Sequence, residues 1–297
     1  MMPGHAFLQR VRRFKHYLWQ EPNPVVQIFY MLLVVGGYGA FLATGLPQLP
    51  TAFLGEIHIL LSFLAVLGAV QSFIAASTTL PGILLPQTLA YFDNYAYDNE
   101  FYSKRICSTC KTIKLARSKH CSICNICVPR FDHHCVWLNS CIGEENHLSF
   151  LRFLLMNVVL CSYGSYVLFF LLYGNYLDLM DESFIDERTQ TSVKGDNVVV
   201  LRYLIHSEAT IFILFSLCSI MGVAVLAFFL FHCYLVARNL TTNEFFKRRA
   251  KRLTRPHPYH LGSVKQNFLE VVRPRFAPKL KEFLRRRARL EVTQPRR

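Results

Sequence analysis

Residues 107–141 read CSTCKTIKLARSKHCSICNICVPRFDHHCVWLNSC and hold seven of the ten cysteines of this 297-residue chain, with three histidines among them. Cys107-x2-Cys110 and Cys121-x2-Cys124 have the spacing of zinc knuckles, in which two thiolates of one tight turn bind the same ion. The odd number of cysteines argues against a closed set of disulfides. Two tetrahedral zinc ions would take six cysteines and two histidines as ligands, and one residue of each type would remain.

The stretch Asp132-His133-His134-Cys135 within this segment carries the residue types of covalent catalysis. A nucleophilic cysteine reacts as the thiolate, and a neighbouring histidine lowers its pKa and accepts its proton. A carboxylate on the second ring nitrogen fixes the tautomer of that histidine. These residues therefore predict a cysteine nucleophile with an acid–base partner. The alternative is that every cysteine and histidine of the segment is a structural ligand or a bystander.

Four apolar runs without a charged residue flank the segment, two on each side, and each is long enough to cross a bilayer. They are Val25–Leu46, Ile57–Ser77, Phe153–Leu177 and Ala209–Val236. The sequence therefore predicts an all-α polytopic membrane protein, with four transmembrane helices and a cysteine-rich two-zinc domain between helices 2 and 3.

Lysine and arginine mark the cytosolic side of a membrane protein. The segments before the first run, between the second and third, and after the fourth hold 4, 8 and 18 of them, whereas residues 175–208 hold 3 against 7 acidic residues. Both termini and the cysteine-rich domain are therefore predicted to be cytosolic. Thiols in the cytosol stay reduced, which again favours metal binding over disulfides.

Five segments follow from these patterns. The first three are a cytosolic N-terminal segment (1–24), transmembrane helices 1 and 2 (25–77) and the cysteine-rich zinc domain (78–149). Transmembrane helices 3 and 4 follow (150–237) with a luminal loop (178–208) between them, and a basic cytosolic tail (238–297) ends the chain.

The net charge of +14 belongs to the tail, because residues 238–297 hold 18 basic and 4 acidic residues and the rest of the chain is neutral overall. A basic surface suits nucleic acid or an anionic membrane. Four membrane runs favour the membrane, and Lys279–Leu290 is predicted to form a basic amphipathic helix on lipid. Nucleic-acid binding by the tail and the zinc knuckles is the less favoured alternative, and we expect no nucleic-acid partner.

The cysteine-rich segment resembles the DHHC family of protein S-acyltransferases, and the resemblance extends over about residues 22–272. The family pattern is followed as Cys107-x2-Cys110-x9-His120-Cys121-x2-Cys124-x2-Cys127-x4-Asp132-His133-His134-Cys135-x5-Cys141-x4-Asn146-x3-Phe150. Thr241-Thr242-Asn243-Glu244 matches the family's TTxE motif, and Tyr259, Gly262 and Asn267 match its C-terminal motif with one extra residue between Gly and Asn. Leu80-Pro81-Gly82 stands where the family usually has Asp-Pro-Gly.

The resemblance implies two structural zinc ions. The first is expected on Cys107, Cys110, His120 and Cys127, and the second on Cys121, Cys124, His134 and Cys141. It also implies that Cys135 is the nucleophile, that His133 is the base, that Asp132 orients His133 and that Thr242 supports Asp132. Thr241 and Glu244 also have the spacing of a helix capping box.

The implied reaction moves a long-chain acyl group, such as palmitoyl, from acyl-CoA to Cys135 and then to a cytosolic cysteine beside a transmembrane segment of a substrate protein. We expect the acyl chain in a cavity between the helices, with Trp137 at its mouth or as an interfacial anchor. Candidate partners for the phosphates of CoA are Arg117, Lys119 and Arg130, or the basic start of the tail from Lys247 to Arg252.

The run Arg117–Ser122 resembles the same run in DHHC-family members that reside in the endoplasmic reticulum. We therefore expect the protein in the endoplasmic reticulum or the Golgi. A catalytically silent membrane adaptor is the alternative function, and the Leu80 substitution is its only support.

Overall fold

The structure is a computed structural model that describes residues 13–17, 21–185, 192–254, 257–276 and residue 279. Within these residues, four helical segments are long and apolar enough to cross a membrane: Val25–Gln48, Ile57–Thr78, His147–Met180 and Ala209–Ala237. The prediction of four candidate membrane spans is therefore confirmed.

The first span changes its helical geometry along its length. It consists of α1 (Val25–Met31), a π-helical turn (Leu32–Gly36), α2 (Gly37–Thr44) and a 3₁₀ turn (Leu46–Gln48). Pro47 lies in the 3₁₀ turn, where a residue without an amide hydrogen ends an α-helix. The predicted end at Leu46 is therefore close to the observed one.

The other spans are single α-helices: α3 (Ile57–Thr78), α5 (His147–Met180) and α7 (Ala209–Ala237), with the short α4 (Leu89–Phe92) before the cysteine-rich segment. Helix α5 has 34 residues and begins six residues before the predicted Phe153. At 1.5 Å per residue it is about 51 Å long, more than the roughly 30 Å of a hydrocarbon core. Hydropathy identifies only the part that suits lipid, so it could not predict this longer helix.

Three further helices are short: α6 (Asn197–Ser207), α8 (Thr242–Ala250) and α9 (Val264–Val272). The strands form two-stranded antiparallel hairpins: β1 (Arg105–Ile106) with β2 (Ile113–Lys114), β3 (Lys119–Cys121) with β4 (Ile126–Val128), β5 (His133–Cys135) with β6 (Ser140–Ile142), and β7 (Ser183–Ile185) with β8 (Ser192–Lys194). The all-α prediction is therefore wrong for the cysteine-rich segment. Its closely spaced cysteines lie in tight turns, and the extended residues beside those turns satisfy their backbone groups by pairing as strands.

The described residues divide into two compact units. One unit comprises the described residues within 1–27, 74–151 and 230–297, and the other comprises those within 28–73 and 152–229. The boundaries fall inside the long helices, so the division differs from the five predicted segments, which stay a prediction.

The second unit is held together by apolar packing and close helix contacts. Its core contains Leu54, Leu171 and Ile211. Helices α5 and α7 approach closely at small residues, since a methyl group added at Gly164 would lie 3.2 Å from the sulfur of Cys218. Small residues allow such backbone approach between membrane helices, where the hydrophobic effect contributes little to association.

The first unit contains the cysteine-rich segment, and two glycines set its backbone path. Gly82 has φ +86°, a left-handed conformation that favours glycine. A methyl group on Gly143 would lie 2.5 Å from the carbonyl oxygen of Pro81. The side chain of Leu80 is 62% exposed, so the residue that departs from the family pattern fills no buried position.

The membrane-binding helix predicted for the basic tail cannot be compared with the structure. The predicted amphipathic helix Lys279–Leu290 lies outside the described residues, apart from Lys279.

Candidate active site and metal centres

Adjacent residues on the strands of the cysteine-rich segment belong to two different groups of potential metal ligands. Consecutive side chains of a strand point to opposite faces. His120 and Cys121 are adjacent on β3, and each belongs to a different group of four potential ligands. On β5 the same alternation separates His134, which joins a ligand group, from His133 and Cys135, which share the other face.

The first ligand group is the one predicted for the first zinc: Cys107, Cys110, His120 and Cys127. His120 and Cys127 are directly opposite in the β3–β4 register. Nδ1 of His120 lies 3.3 Å from the sulfur of Cys110 and 3.7 Å from that of Cys127.

The second group is the one predicted for the second zinc: Cys121, Cys124, His134 and Cys141. Nδ1 of His134 lies 3.3 to 3.8 Å from the three sulfurs, and two of the sulfurs are 3.5 Å apart. With Zn–S of about 2.3 Å and Zn–N of about 2.1 Å, a tetrahedral site has ligand separations of roughly 3.6–3.8 Å. The donor types and spacings of both groups therefore suit zinc.

Asp132, His133 and Cys135 are brought together on the other side of β5. Nδ1 of His133 lies 2.6 Å from Oδ2 of Asp132, and the His133 ring also hydrogen-bonds the side chain of Cys135. Cys135 is buried, and the His133 side chain is 22% exposed. This is the Cys–His–Asp arrangement of an activated thiol nucleophile.

Asp132 and His133 each stabilise the charged form of the other. Burial alone would lower the pKa of His133, but the hydrogen bonds to Asp132 and Cys135 outweigh it and raise that pKa to about 10. Burial alone would raise the pKa of Asp132, but its hydrogen bond to His133 and the nearby positive charge hold it far below its usual range. At neutral pH the pair is therefore an imidazolium and a carboxylate.

Helix α8 begins against the carboxylate of Asp132. Thr242 donates its backbone N–H to Oδ1 of Asp132 and its hydroxyl to Oδ2, both at 2.7 Å. The first amides of a helix have no partner inside the helix, so Asp132 satisfies one of them and gains the favourable end of the helix dipole. Thr241 and Glu244 form the predicted capping box at the same time.

A buried ion pair holds this helix to the cysteine-rich segment. Arg117 and Glu244 are both 0% exposed, and the guanidinium donates two hydrogen bonds to the carboxylate at 2.8 and 2.7 Å. The other edge of Arg117 donates to the side chain and the carbonyl of Asn239. The ring centroids of Tyr95 and Tyr259 lie 4.9 and 4.8 Å from its guanidinium carbon. The pair is fully hydrogen-bonded, as a buried pair must be to offset desolvation.

The prediction that Arg117 and Arg130 bind the phosphates of CoA does not agree with these contacts. Arg117 is enclosed, and Arg130 is 2% exposed and donates to Asn239. Both arginines therefore serve the interior of this unit.

Lys119, the third predicted residue, is exposed and lines a surface pocket of about 150 Å³. Its lining residues are Phe101, Tyr102, Ser103, Arg105, Lys114, Leu115, Ser118, Lys119 and Lys247. Burial and the nearby charge of Lys119 lower the pKa of Lys247. Four basic side chains around one small pocket favour an anionic ligand.

Two rings beside His133 were not predicted as site residues. Phe150 and His232 lie 5.1 and 5.7 Å from it between ring centroids. Phe150 had a signal in the sequence, because the spacing Asn146-x3-Phe150 is part of the family pattern. His232 had a signal of its own, because a histidine inside an apolar membrane run is uncommon and usually functional.

Residues outside the cysteine-rich segment contact the loop that follows Cys135. Trp137 lies in the 3₁₀ turn Val136–Leu138 and is 42% exposed. The side-chain oxygen of Asn139 accepts the backbone N–H of Asn23, and Gln27 donates to the carbonyl of Leu138. The start of the first span therefore anchors this loop, which the sequence did not indicate.

These features define a multi-pass membrane protein with two zinc-type ligand groups and a cysteine–histidine–aspartate site. The profile of the family described as DHHC palmitoyltransferase matches residues 100–249, about half of the chain. The chain belongs to the DHHC palmitoyltransferase family.

Individual relatives agree with this assignment. The chain is 29% identical over 236 residues to palmitoyltransferase ZDHHC4 of Bos taurus, which covers 78% of this chain and 68% of the relative. It is 37% identical over 152 residues to palmitoyltransferase swf1 of Schizosaccharomyces pombe, covering 50% of this chain and 42% of the relative. It is 33% identical over 180 residues to palmitoyltransferase ZDHHC9 of Bos taurus, covering 60% and 44%.

One buried carboxyl group of this unit predicts a pH dependence of stability. Glu144 is 3% exposed. Burial raises its pKa to about 7, although the charges of Arg130 and Arg117 oppose the rise. The folded pKa lies above the unfolded value of roughly 4.3, so the protonated form stabilises the fold and that stability is lost as the pH rises through about 7.

We therefore expect the wild-type protein to lose about 1 kcal/mol of stability between pH 6 and 8 relative to Glu144→Gln, which has no charge to bury. Thermal unfolding in detergent at both pH values measures this as a difference of roughly 2–4 °C in Tm. The exposed Glu56→Gln serves as control and should follow the wild type. Parallel pH dependence of the wild type and Glu144→Gln would contradict the assignment.

Proposed function

We propose that this palmitoyltransferase carries the acyl group on Cys135 as a thioester between acyl-CoA and the cysteine of a substrate protein. The observation that carries the proposal is the common face of β5, where Cys135 and His133 meet beside Asp132 while His134 faces a ligand group. Both half-reactions exchange one thioester for another, so the covalent intermediate is not an energetic trap.

In the first half-reaction the thiolate of Cys135 attacks the thioester carbonyl of acyl-CoA. A bond forms between the Cys135 sulfur and the acyl carbon, and the bond from that carbon to the CoA sulfur breaks. His133, held as imidazolium by Asp132, gives its proton to the departing CoA thiolate. His133 is then neutral beside the acylated Cys135.

In the second half-reaction the thiol of the substrate protein gives its proton to neutral His133. The resulting thiolate attacks the acyl carbon, and Cys135 leaves as a thiolate beside the restored imidazolium. Protons and bonds balance over the cycle, and Asp132 stays ionised throughout.

Two structural zinc ions are proposed for the two ligand groups, with four protein ligands each. Such closed sites hold a fold and leave no open position for a water or a substrate. Their contribution is to fix the β3–β4 and β5–β6 hairpins, and through His134 the orientation of β5.

We propose that the pocket around Lys119 and Lys247 takes the phosphates of CoA. Lys119 directly precedes the ligand His120, and Lys247 lies three residues after Glu244 on α8. The strand β3, which carries Lys119, and the helix α8, which carries Lys247, also support the proposed catalytic residues. A nucleotide bound in this pocket would therefore be held by the same elements as the site.

The orientation is proposed from the distribution of basic residues: both termini and the cysteine-rich domain in the cytosol, and the segment 178–208 in the lumen. Membrane lipids, acyl-CoA and proteins with cytosolic juxtamembrane cysteines are the proposed partners. The endoplasmic reticulum or the Golgi is the proposed compartment, on the resemblance of the Arg117–Ser122 run.

The nucleophile is tested by labelling. We expect purified protein to acquire a hydroxylamine-labile label from radioactive palmitoyl-CoA, and Cys135→Ser to acquire none. His133→Ala should label at least about 100-fold more slowly, because it lacks the acid–base group. Cys161→Ser, at a cysteine of α5 outside both ligand groups, is the matched control and should label normally. Normal labelling of Cys135→Ser would assign the acyl group to another residue.

The metal centres are tested by elemental analysis of the same preparations. We expect about two zinc ions per chain, and the same content in Cys135→Ser, because each closed site uses four other ligands. Cys107→Ser and Cys124→Ser should each lose about one ion. Loss of zinc from Cys135→Ser would instead make Cys135 a ligand.

The CoA pocket is tested by reversing its charge. Lys119→Glu combined with Lys247→Glu should raise KM for palmitoyl-CoA by about tenfold or more, since one charged hydrogen bond contributes about 1.5–3 kcal/mol. The effect should shrink as the salt concentration rises. Lys265→Glu, an exposed lysine of α9, is the control for net charge. An unchanged KM in the double variant would place the phosphates elsewhere.

A further inference from the structure

Helix α7 carries a histidine close to its C-terminal end. His232 is the only residue of the Asp, Glu, His, Lys and Arg types among the 29 residues of this helix. Its side chain is 1% exposed. An ionisable residue in an apolar membrane helix is costly to keep, which marks it for a function.

His232 is directed at the catalytic pair. One nitrogen of its ring, one nitrogen of His133 and one carboxylate oxygen of Asp132 all lie within 4.8 Å of one another. Thr242 and Nδ1 of His133 already donate to both oxygens of Asp132. His232 therefore lies beside a carboxylate whose two oxygens already accept hydrogen bonds from Thr242 and His133.

The rings of His133, Phe150 and His232 form a closed triangle. Their centroids are 5.1 Å apart for His133 and Phe150, 4.9 Å for Phe150 and His232, and 5.7 Å for His133 and His232. Phe150 meets the other two rings edge to face, at 70° and 78°. Aromatic pairs of this geometry attract by roughly 0.5–1.5 kcal/mol beyond their buried area.

The reaction needs this support because a histidine does not fix its own ring. The torsion between Cβ and an imidazole ring is broad, with no single preferred staggered value. Catalysis requires Nδ1 to stay on Asp132 while Nε2 faces Cys135 and the incoming thiol, through both half-reactions. A rotated ring would lose both contacts at once.

We propose that His232 is a positioning residue for acyl transfer, which with Phe150 confines the ring of His133 to the orientation that joins Asp132 to Cys135. The proposal rests on the proposed roles of Cys135 and His133. His232 exchanges no proton with substrate in this scheme and acts through the ring of His133.

The test compares two substitutions. His232→Ala removes the ring, and His232→Phe keeps a flat ring of similar size without nitrogens. We expect His232→Ala to slow single-turnover acylation at saturating palmitoyl-CoA about tenfold, with KM within about twofold of the wild type. Alkylation of Cys135 by iodoacetamide should slow by a similar factor. His232→Phe should stay within about threefold of the wild type in both measurements.

Zinc content and a matched variant separate positioning from folding. Leu230→Ala removes a 56% exposed side chain from the same turn of α7 and should leave both rates unchanged. If His232→Ala loses zinc, we use His232→Leu in the acylation test instead, because leucine keeps most of the side-chain volume but has no flat ring. Slow acylation of that variant with full zinc content supports the proposal, and wild-type rates overturn it.

Two further results would overturn the role of His232. One is a wild-type rate in His232→Ala with full zinc content. The other is a His232→Phe variant as slow as His232→Ala, which would mean that the nitrogens matter and not the ring. Failure of the underlying mechanism appears differently, as a hydroxylamine-labile label on Cys135→Ser.

Discussion

The alternation of side chains along the strand β5 is the constraint on which the site depends. Successive residues of a strand face opposite ways, so one strand of three residues serves two purposes. His134 joins one group of potential metal ligands, and His133 and Cys135, the proposed catalytic residues, share the other face. A shift of one residue in the β5–β6 register would exchange these faces, and the pairing of His134 with Cys141 prevents that shift.

Helix α8 completes the site from a distant part of the sequence. Thr242 hydrogen-bonds Asp132, and two residues later Glu244 pairs with Arg117. Removing one partner of such a buried pair costs about 3–5 kcal/mol, because the other charge is left without compensation. The position of the Asp132 carboxylate therefore depends on an ion pair that has no part in the proposed reaction.

The ligand groups and the candidate spans could be predicted from the sequence, because tetrahedral zinc requires four ligands of few residue types and a membrane span requires a long run without charge. Counting ligands left one cysteine and one histidine over, and charge-free runs identified the candidate spans. The hairpins escaped prediction, since two- or three-residue strands have no periodicity to detect. Arg117 was assigned to CoA because a sequence does not show burial, and only the fold reveals that Glu244 neutralises its charge. His232 needed the fold too, since nothing in the sequence places it against His133.

The small exposed fraction of His133 has a consequence for how the enzyme meets its substrates. Asp132 occupies one nitrogen, and neighbouring rings pack against this imidazole, which keeps 22% of its side chain exposed. In the proposed mechanism the CoA thiol and the protein thiol therefore use the same exposed edge of the ring in turn, and each excludes the other. Free CoA then competes with the protein substrate for the acylated Cys135, so a higher ratio of acylated to free CoA around the membrane favours transfer to protein.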